Sequence, residues 1–504
     1  MASTTSLPKY HSLIDNEFVS RESEESTTPH DDLYIPVVNP CTEQVIALVT
    51  QASSDQVSRA LDSTVKAFSL WSQTPVQERA ACLNRLADKM QENLNYLAEL
   101  ESKNNGKTFF ESVGDVDECC NTLRYYASLA DYVQEKMDGK VNPHHDSEKW
   151  GLSNRLCYEP IGPCVGILPF NYPLLLLMWK LAPAMITGNS ILLKPSEYTS
   201  LTALVLADYM KDIFPKGVVN IVAGYGYKIG QLLTSDPRVK KVSFTGSLAT
   251  GLKVGASCLP TLTRCSLELG GKSPIIVFED CDMSVAIESI VGGIFANKGE
   301  ICSATSRLLV QKSIYQPLMD KLIEKTKTIV TGDSLFDKTV THGAQVSKIQ
   351  YDKVLNYIEI GKKEGAVAVV GGGRPEVVKA QDPNKGFFVA PTIFTNVTPD
   401  MTIWKEEIFG PVLSVMPFET EEEAIRLAND TRYGLAAAVI SGSDERLERV
   451  GRQLCVGTLW LNASQPCLCQ VPWPTRKQSG VGGAELSTFG ADLFMELKTV
   501  WKKL

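Results

Sequence analysis

The segment FANKGEICSATSR, Phe295 to Arg307, places one thiol, Cys302, between an apolar helical run and the apolar run RLLV. Gly299 reads as a helix stop, so Cys302 should stand on a loop, where a thiol becomes a nucleophile once its surroundings favour the thiolate. A cysteine alone is more often a small buried hydrophobe, and two other segments supply the company that changes this reading. LELGGKSP sets Glu268 among apolar neighbours and follows it with two glycines that permit close backbone approach. Burial disfavours the charged carboxylate and lifts its pKa toward the range of a general base, while a capping or ion-paired glutamate accounts for the motif equally well. LPFNYP ends a β-like run with Asn171. Its amide can donate to a developing oxyanion, a contact worth about 3 to 4 kcal/mol in other systems. An Asx-turn before Pro173 is the competing reading.

Three further segments suit a phosphorylated ligand. SFTGSLATG runs from an apolar strand into a helix, so Thr245, Gly246 and Ser247 would present backbone N–H groups to an anion. AGYGYKIG only approximates the spacing of a dinucleotide-binding turn. LLKPSE offers Lys194 and Glu197 at another strand end, where a carboxylate accepts both hydroxyls of an adenosine ribose and repels a 2′-phosphate, favouring NAD over NADP.

These residues must be held by elements, and the sequence shows which. From Ile161 to Glu268, short apolar runs (GPCVGILPF, NSILLKPS, GVVNIVAG, VKKVSFTGS, RCSLELGG) alternate with helical stretches starting near Tyr172, Thr199 and Tyr227 and again after Ser247. That alternation predicts a parallel sheet with crossover helices, whose ligands lie at the strands' carboxyl ends. A second series, from about Lys272 to Gln470, includes SPIIVFE, a helix from Asp282 to about Lys298 with Asp282 as N-cap, SRLLVQ, a helix to about Val330, GPVLSVMPF and YGLAAAVISG. The N-terminal portion carries long helical patterns. The C-terminal LFMELKTVW alternates like a strand and needs a partner, for which a neighbouring subunit is one solution.

Composition bounds the function. A chain of 504 residues with 44% hydrophobic and 21% charged residues is an ordinary globular protein of about three domain-sized units, and a net charge of -8 argues against binding nucleic acid. The apolar run YPLLLLMWKLAPAMITG is interrupted by Lys180 and two prolines, so no membrane span is expected. MASTTSLPKYHSLIDNEF lacks the apolar core of a secretory signal. Thirteen cysteines without finger-like spacing, and only five histidines, predict buried thiols in a reducing compartment rather than zinc or disulfides.

LELGGKSP, GEICSATSR, EEIFGPVLSV and DTRYGLAAAV, in this order and at these separations, resemble the aldehyde dehydrogenase superfamily over essentially the whole chain. The resemblance implies an α/β fold with a Rossmann-like NAD-binding domain over 1–130 and 151–268, an α/β catalytic domain over 269–478, and a small β oligomerisation element from 131–150 and 479–504. It implies NAD as cofactor and Cys302 as nucleophile, with Asn171 on the oxyanion, Glu268 activating water and Lys180 close by. Lys194, Glu197 and Glu407 would hold the riboses, Gly246 and Ser247 the pyrophosphate side, and Phe409 the nicotinamide.

LWLNASQPCLCQVPW and ICSATSR are most similar to the betaine aldehyde and aminoaldehyde branch. There Tyr172, Trp179 and Trp473 match an aromatic cage for a cationic aldehyde, a contact of about 0.5 to 2 kcal/mol per ring. Asp115 and Glu118 match acidic positions near the tunnel mouth, although a solvated helix face explains them too. Ala296 stands where the branch has a tryptophan, Phe170 where it has another, Thr458 where it has Ala or Ile, and Lys298 and Glu300 alter the run before the nucleophile. The implied activity is NAD-dependent oxidation of an amino- or trimethylammonio-aldehyde to the acid by a homodimer or homotetramer. The alternatives are a broad, non-cationic aldehyde dehydrogenase, transfer of the acyl group to coenzyme A, and a structural oligomer of the same fold. The ending KKL is near the peroxisomal address SKL, leaving cytosol first and peroxisome second.

Overall fold

Five short apolar runs form the parallel centre of an eight-stranded sheet. Its order is Gly480–Val481, Arg264–Glu268, Lys241–Thr245, Cys164–Ile167, Ile191–Lys194, Val219–Ile221, Ser12–Ile14 and Glu17–Val19. The computed structural model from which this is read describes residues 7–21, 29–141 and 147–504, so the N-terminal six residues used in the signal reading lie outside it. The strand order reverses at Cys164–Ile167, which opens a crevice at that strand's carboxyl end, where residues 168–171 emerge.

The helix Pro173–Ile186 that follows is apolar on all sides and almost wholly buried, with Pro173 in its first turn and Lys180 as its only charge. It packs against Phe109–Ser128, a helix started by a capping box in which Thr108 accepts from Glu111 N and Glu111 accepts from Thr108 N. The expected N-terminal helices are Ser54–Trp71, Val76–Glu92 and Leu94–Asn105.

A second, seven-stranded sheet has the order Val367–Val370, Thr392–Thr395, Val412–Phe418, Arg307–Gln311, Pro274–Val277, Ala436–Ile440 and Thr458–Leu461, parallel except at Val367–Val370. Asp282 caps Met283–Phe295 as expected, accepting from Ser284 N and Val285 N. That helix stops at Phe295, three residues short of the expected Lys298, because Asn297, Lys298 and Gly299 are all left-handed at φ +43°, +59° and +73°.

The C-terminal strand Met495–Lys503 pairs within its own chain, antiparallel to Leu152–Pro160, in a three-stranded sheet completed by Lys140–Val141. Sheet membership thus differs from the expected boundaries at two places. Residues 152–160, assigned to the NAD-binding domain, pair in the small sheet, and Gly480–Val481, assigned to the oligomerisation element, pairs antiparallel with Leu267 and Glu268. All thirteen cysteines carry free thiols, and no helix among the described residues is long and apolar enough to cross a membrane.

Candidate active site

The left-handed run before Cys302 is held from four directions. Asn297 N donates to Glu111 Oε1 (2.7 Å) and Asn297 Nδ2 to the Asn171 carbonyl (3.1 Å). Gln345 Nε2 donates to the Lys298 carbonyl (3.0 Å), and Val346 N donates to Glu300 Oε1 (3.0 Å). Lys298 and Glu300, both fully buried, form an ion pair at 3.0 Å, and the Lys298 ammonium also reaches Asn105. Asn105 in turn donates to the Phe170 carbonyl at 2.7 Å. Gly299 is required on two counts: its φ is positive, and a Cβ there would stand 2.2 Å from the Gly410 carbonyl carbon.

Asn171 lies in this mesh, buried, with its Nδ2 donating to the Glu300 carbonyl at 3.0 Å. The contact crosses from one sheet to the other, so the Asx-turn reading gives way to a bridging amide. One of its two N–H groups is thereby used, and the second remains for another acceptor.

Glu268 ends its strand, buried, opposite Gly480. Its loop is pressed onto the cysteine loop, since a Cβ on Gly271 would stand 2.3 Å from the Cys302 carbonyl oxygen. Burial, then the nearby Glu485 carboxylate, push the Glu268 carboxyl well above its usual range, with Lys180 opposing. The half-buried Cys302 thiol is also pushed up, by burial first and then by Glu268 and Glu407. Both shifts favour the neutral forms of the two groups.

Lys180 Nζ donates to Glu485 Oε1 at 2.8 Å with both side chains buried, and Ser243 Oγ donates to the same oxygen at 3.1 Å. Glu485 is one of the residues not singled out from the sequence. It lies in VGGAEL, 305 positions from Lys180, and only the return of residues 480–485 to the first sheet brings it beside Glu268.

The aromatic positions also converge. Trp179 meets Trp473 edge-on at 6.1 Å, and Trp473 meets Trp460 at 6.2 Å. Tyr172, Ala296, Cys302 and Cys467 pack into the same cluster. Trp460 was not singled out from sequence, though its place two residues beyond Thr458 on one strand puts both on the same face. The Thr458 hydroxyl is buried without a partner among the described residues. The two acids differ. Asp115 is turned inward onto the fully buried ammonium of Lys107, so neither a solvated face nor a free anion describes it, and that ammonium also sits 4.3 Å from the Tyr172 ring centre. Glu118 stays half-buried near Cys467 and Cys469.

At the strand ends of the first sheet, Lys194 is buried and 3.4 Å from the half-buried Glu197. Ser247 caps the helix Leu248–Cys258, accepting from Thr250 N, and no acid occupies the helix's first turn. Gly246 N donates to the Glu268 carbonyl at 3.0 Å. Across the crevice Glu407 Oε1 accepts from Gly271 N at 2.9 Å, and Phe409, at φ +61°, meets Phe170 edge-on at 5.6 Å.

A thiol, a raised carboxyl and a bridging amide at the mouth of one α/β sheet, faced by a second, make a site for covalent acyl chemistry. The model of the aldehyde dehydrogenase family matches residues 27–500, and the chain belongs to that family. It is 42% identical over 472 residues, 92% of each chain, to aminoaldehyde dehydrogenase 2, peroxisomal, of Malus domestica. It is also 42% identical to betaine aldehyde dehydrogenase 1 of Oryza sativa subsp. japonica, over 93% of this chain and 92% of that one. Among solved structures, betaine aldehyde dehydrogenase of Staphylococcus aureus in complex with NAD+ superposes with a TM-score of 0.91 at 36% identity, covering 98% of this chain and 95% of that one. The NAD+ complex of an aldehyde dehydrogenase from Bacillus cereus does so with 0.91 at 37%, over 98% and 97%. The chain is an NAD-dependent aldehyde dehydrogenase. The residues present fit that cofactor: Glu197 and Glu407 each keep carboxylate oxygen for ribose hydroxyls, and the acid-free turn after Ser247 suits a pyrophosphate.

Proposed function

We propose that the enzyme oxidises an amino- or ammonium-aldehyde to its acid. The observation that carries this reading is the packing of Tyr172, Trp179, Trp460 and Trp473 into one cluster with Cys302, with the Glu118 carboxylate close to that cluster's Cys467. Ring faces beside an anion attract a desolvated cation.

In this reading the Cys302 thiolate attacks the aldehyde carbon, and the oxyanion takes the second N–H of Asn171 and the Cys302 backbone N–H. Lys194, Glu197, Gly246, Ser247 and Glu407 would hold NAD with Phe409 beside its nicotinamide, and the bound cofactor would supply the acceptor for the hydride that leaves the carbon as the thioester forms. Glu268 then takes a proton from water, whose oxygen attacks the thioester carbon. The C–S bond breaks, leaving the acid and the Cys302 thiol. With the product acid ionised, two protons leave in each turnover, and Glu268 must lose the one it took before the next. A homodimer or homotetramer is part of the proposal, as is a peroxisomal location, which the naming of the relatives from Malus domestica and Pisum sativum supports over the cytosol.

A neutral aldehyde of similar size is the second reading. It is favoured by Ala296 in the cage wall and by Lys107, which neutralises Asp115 and places the protein's own cation on Tyr172. NADH production with 3-aminopropanal, 4-aminobutanal, 4-trimethylaminobutanal, betaine aldehyde and a neutral aldehyde decides between them. Preference for cationic members supports the cage, and preference for the neutral one overturns it. Cys302→Ala, run in parallel, should abolish NADH production while NAD binding by calorimetry persists; retained turnover would contradict the covalent route.

A further inference from the structure

Along the helix Leu248–Cys258 a row of small residues faces the strand Arg264–Glu268. A Cβ on Gly251 would stand 2.3 Å from Leu269 Cδ2, and one on Gly255 would stand 3.5 Å from Leu267 Cδ1. Steps of four and three along a helix keep to one face, and steps of two along a strand do the same, so the next match in this register is Cys258 over Cys265. A helix advances about 10 Å over seven residues and a strand about 13 Å over four, so the two rows keep together from end to end. The contact is made: the two thiols are hydrogen-bonded to each other and share one apolar cluster with Val242, Val254 and Leu267.

The turn between them is closed as tightly. Leu262 N donates to the Leu259 carbonyl and Thr263 N to the Cys258 carbonyl, both at 3.1 Å, with Leu262 left-handed at φ +52°. Thr263 Oγ1 donates to the Val239 carbonyl at 3.1 Å and Arg264 N to the Lys240 carbonyl at 3.1 Å, which fixes the entry of the strand. Only six residues separate the cysteines, so joining their sulfurs closes a short loop whose ends already meet, at small cost in chain entropy.

The pair is also set apart chemically. The S–H of Cys265 lowers the Cys258 thiol from its ordinary range while burial opposes, and Cys265 itself is raised by the same bond and by burial. One sulfur is thereby poised as the thiolate and the other as its proton donor. Cys302, by contrast, is pushed up by burial and by Glu268 and Glu407. Cys258 is buried and Cys265 half-buried, so a small oxidant meets the pair from the Cys265 side.

We propose that Cys258 and Cys265 form a redox-active pair that a hydroperoxide converts to an intramolecular disulfide, tying the far end of the helix that Ser247 caps to the strand that ends in Glu268. The Cys258 sulfur attacks the peroxide oxygen, the O–O bond breaks, and the departing oxygen takes a proton and leaves as water or an alcohol. The Cys265 sulfur then bonds to the sulfur of the Cys258 sulfenic acid, the S–O bond breaks, and the hydroxide leaves with the Cys265 proton as water. Two thiols lose two electrons and the hydroperoxide gains them. The site uses neither Cys302 nor Glu268 and stands whatever aldehyde the enzyme takes.

The experiment titrates the reduced full-length enzyme with hydrogen peroxide, denatures it, alkylates the remaining thiols with N-ethylmaleimide and maps the tryptic peptides by mass. Cleavage after Lys253, Arg264 and Lys272 puts the two cysteines on separate peptides, Val254–Arg264 and Cys265–Lys272, and cleavage after Lys298 and Arg307 isolates Cys302 on Gly299–Arg307, each peptide with no other cysteine. The first two should be recovered joined, as a mass that dithiothreitol splits, at peroxide levels where Gly299–Arg307 is still recovered alkylated. Cys258→Ser and Cys265→Ser should each lose the joined species. Recovery of the two peptides singly, alkylated or carried to sulfinic acid, once Cys302 has been consumed would overturn the pair, and so would a joined species linking either cysteine to a third.

Discussion

Burial favours the protonated forms of both Cys302 and Glu268, and Glu268 adds to the shift of the thiol. The Glu268 carboxyl is raised by burial and by Glu485, so its base form becomes populated as pH rises, and deacylation should speed up toward alkali. The thiol, raised by burial and by Glu268 and Glu407, should react with iodoacetamide faster as pH rises as well. Glu268→Gln should therefore accelerate alkylation of Cys302 at neutral pH, by lowering the thiol pKa, while abolishing steady turnover. Slower alkylation in that variant would mean that Glu268 helps to ionise the thiol rather than holding it neutral. At this scale the sequence was informative where a residue's role is declared by its neighbours in the chain, as with the two glycines after Glu268. It was silent on Lys107, whose capture of Asp115 over eight residues depends on how a helix start folds back on itself.

The loop before Cys302 carries a buried ion pair. Lys298 and Glu300 are fully buried and pair at 3.0 Å, and burial pushes the lysine down and the glutamate up in pKa. Removing one charge strands the other, at a cost of about 3 to 5 kcal/mol, whereas removing both leaves hydrogen-bonding amides. Glu300→Gln should unfold at clearly lower denaturant concentration than the parent, and Lys298→Asn with Glu300→Gln should recover most of the loss. Additive losses in the double variant would show that the pair contributes no coupling. The strands and helices of both sheets were legible as alternating patterns, and Asp282 announced its helix correctly. The early stop at Phe295 was not, because left-handed Asn297 and Lys298 carry no turn signal of their own and are held by Glu111, Asn105, Gln345 and Val346 from distant segments.

For the whole molecule, the three-stranded sheet leaves the strand Met495–Lys503 at its edge, with Leu497 and Trp501 more than half exposed. An exposed edge with apolar side chains invites pairing with another copy. Leu497→Glu with Trp501→Glu should shift sedimentation velocity toward a smaller species without loss of secondary structure, and an unchanged sedimentation coefficient would place the subunit contact elsewhere. The C-terminal alternation was legible as a strand, but its partner was not, since pairing with Leu152–Pro160 spans more than three hundred residues.

That last stretch of chain has a consequence for how the enzyme is made. The edge of the first sheet gains Gly480–Val481, Glu268 gains Glu485 nearby, and Leu152–Pro160 gains its long partner only from residues made after every other strand of the two large sheets. A nascent chain that holds Asn171, Glu268 and Cys302 but stops short of residue 480 thus has one flank of its first sheet open and Lys180 without Glu485, an incomplete species exposed to misassembly until those residues are made. Polypeptides ending before residue 480 would carry Asn171, Glu268 and Cys302 without the Glu485 contact to Lys180 and without the strand that pairs with Leu152–Pro160.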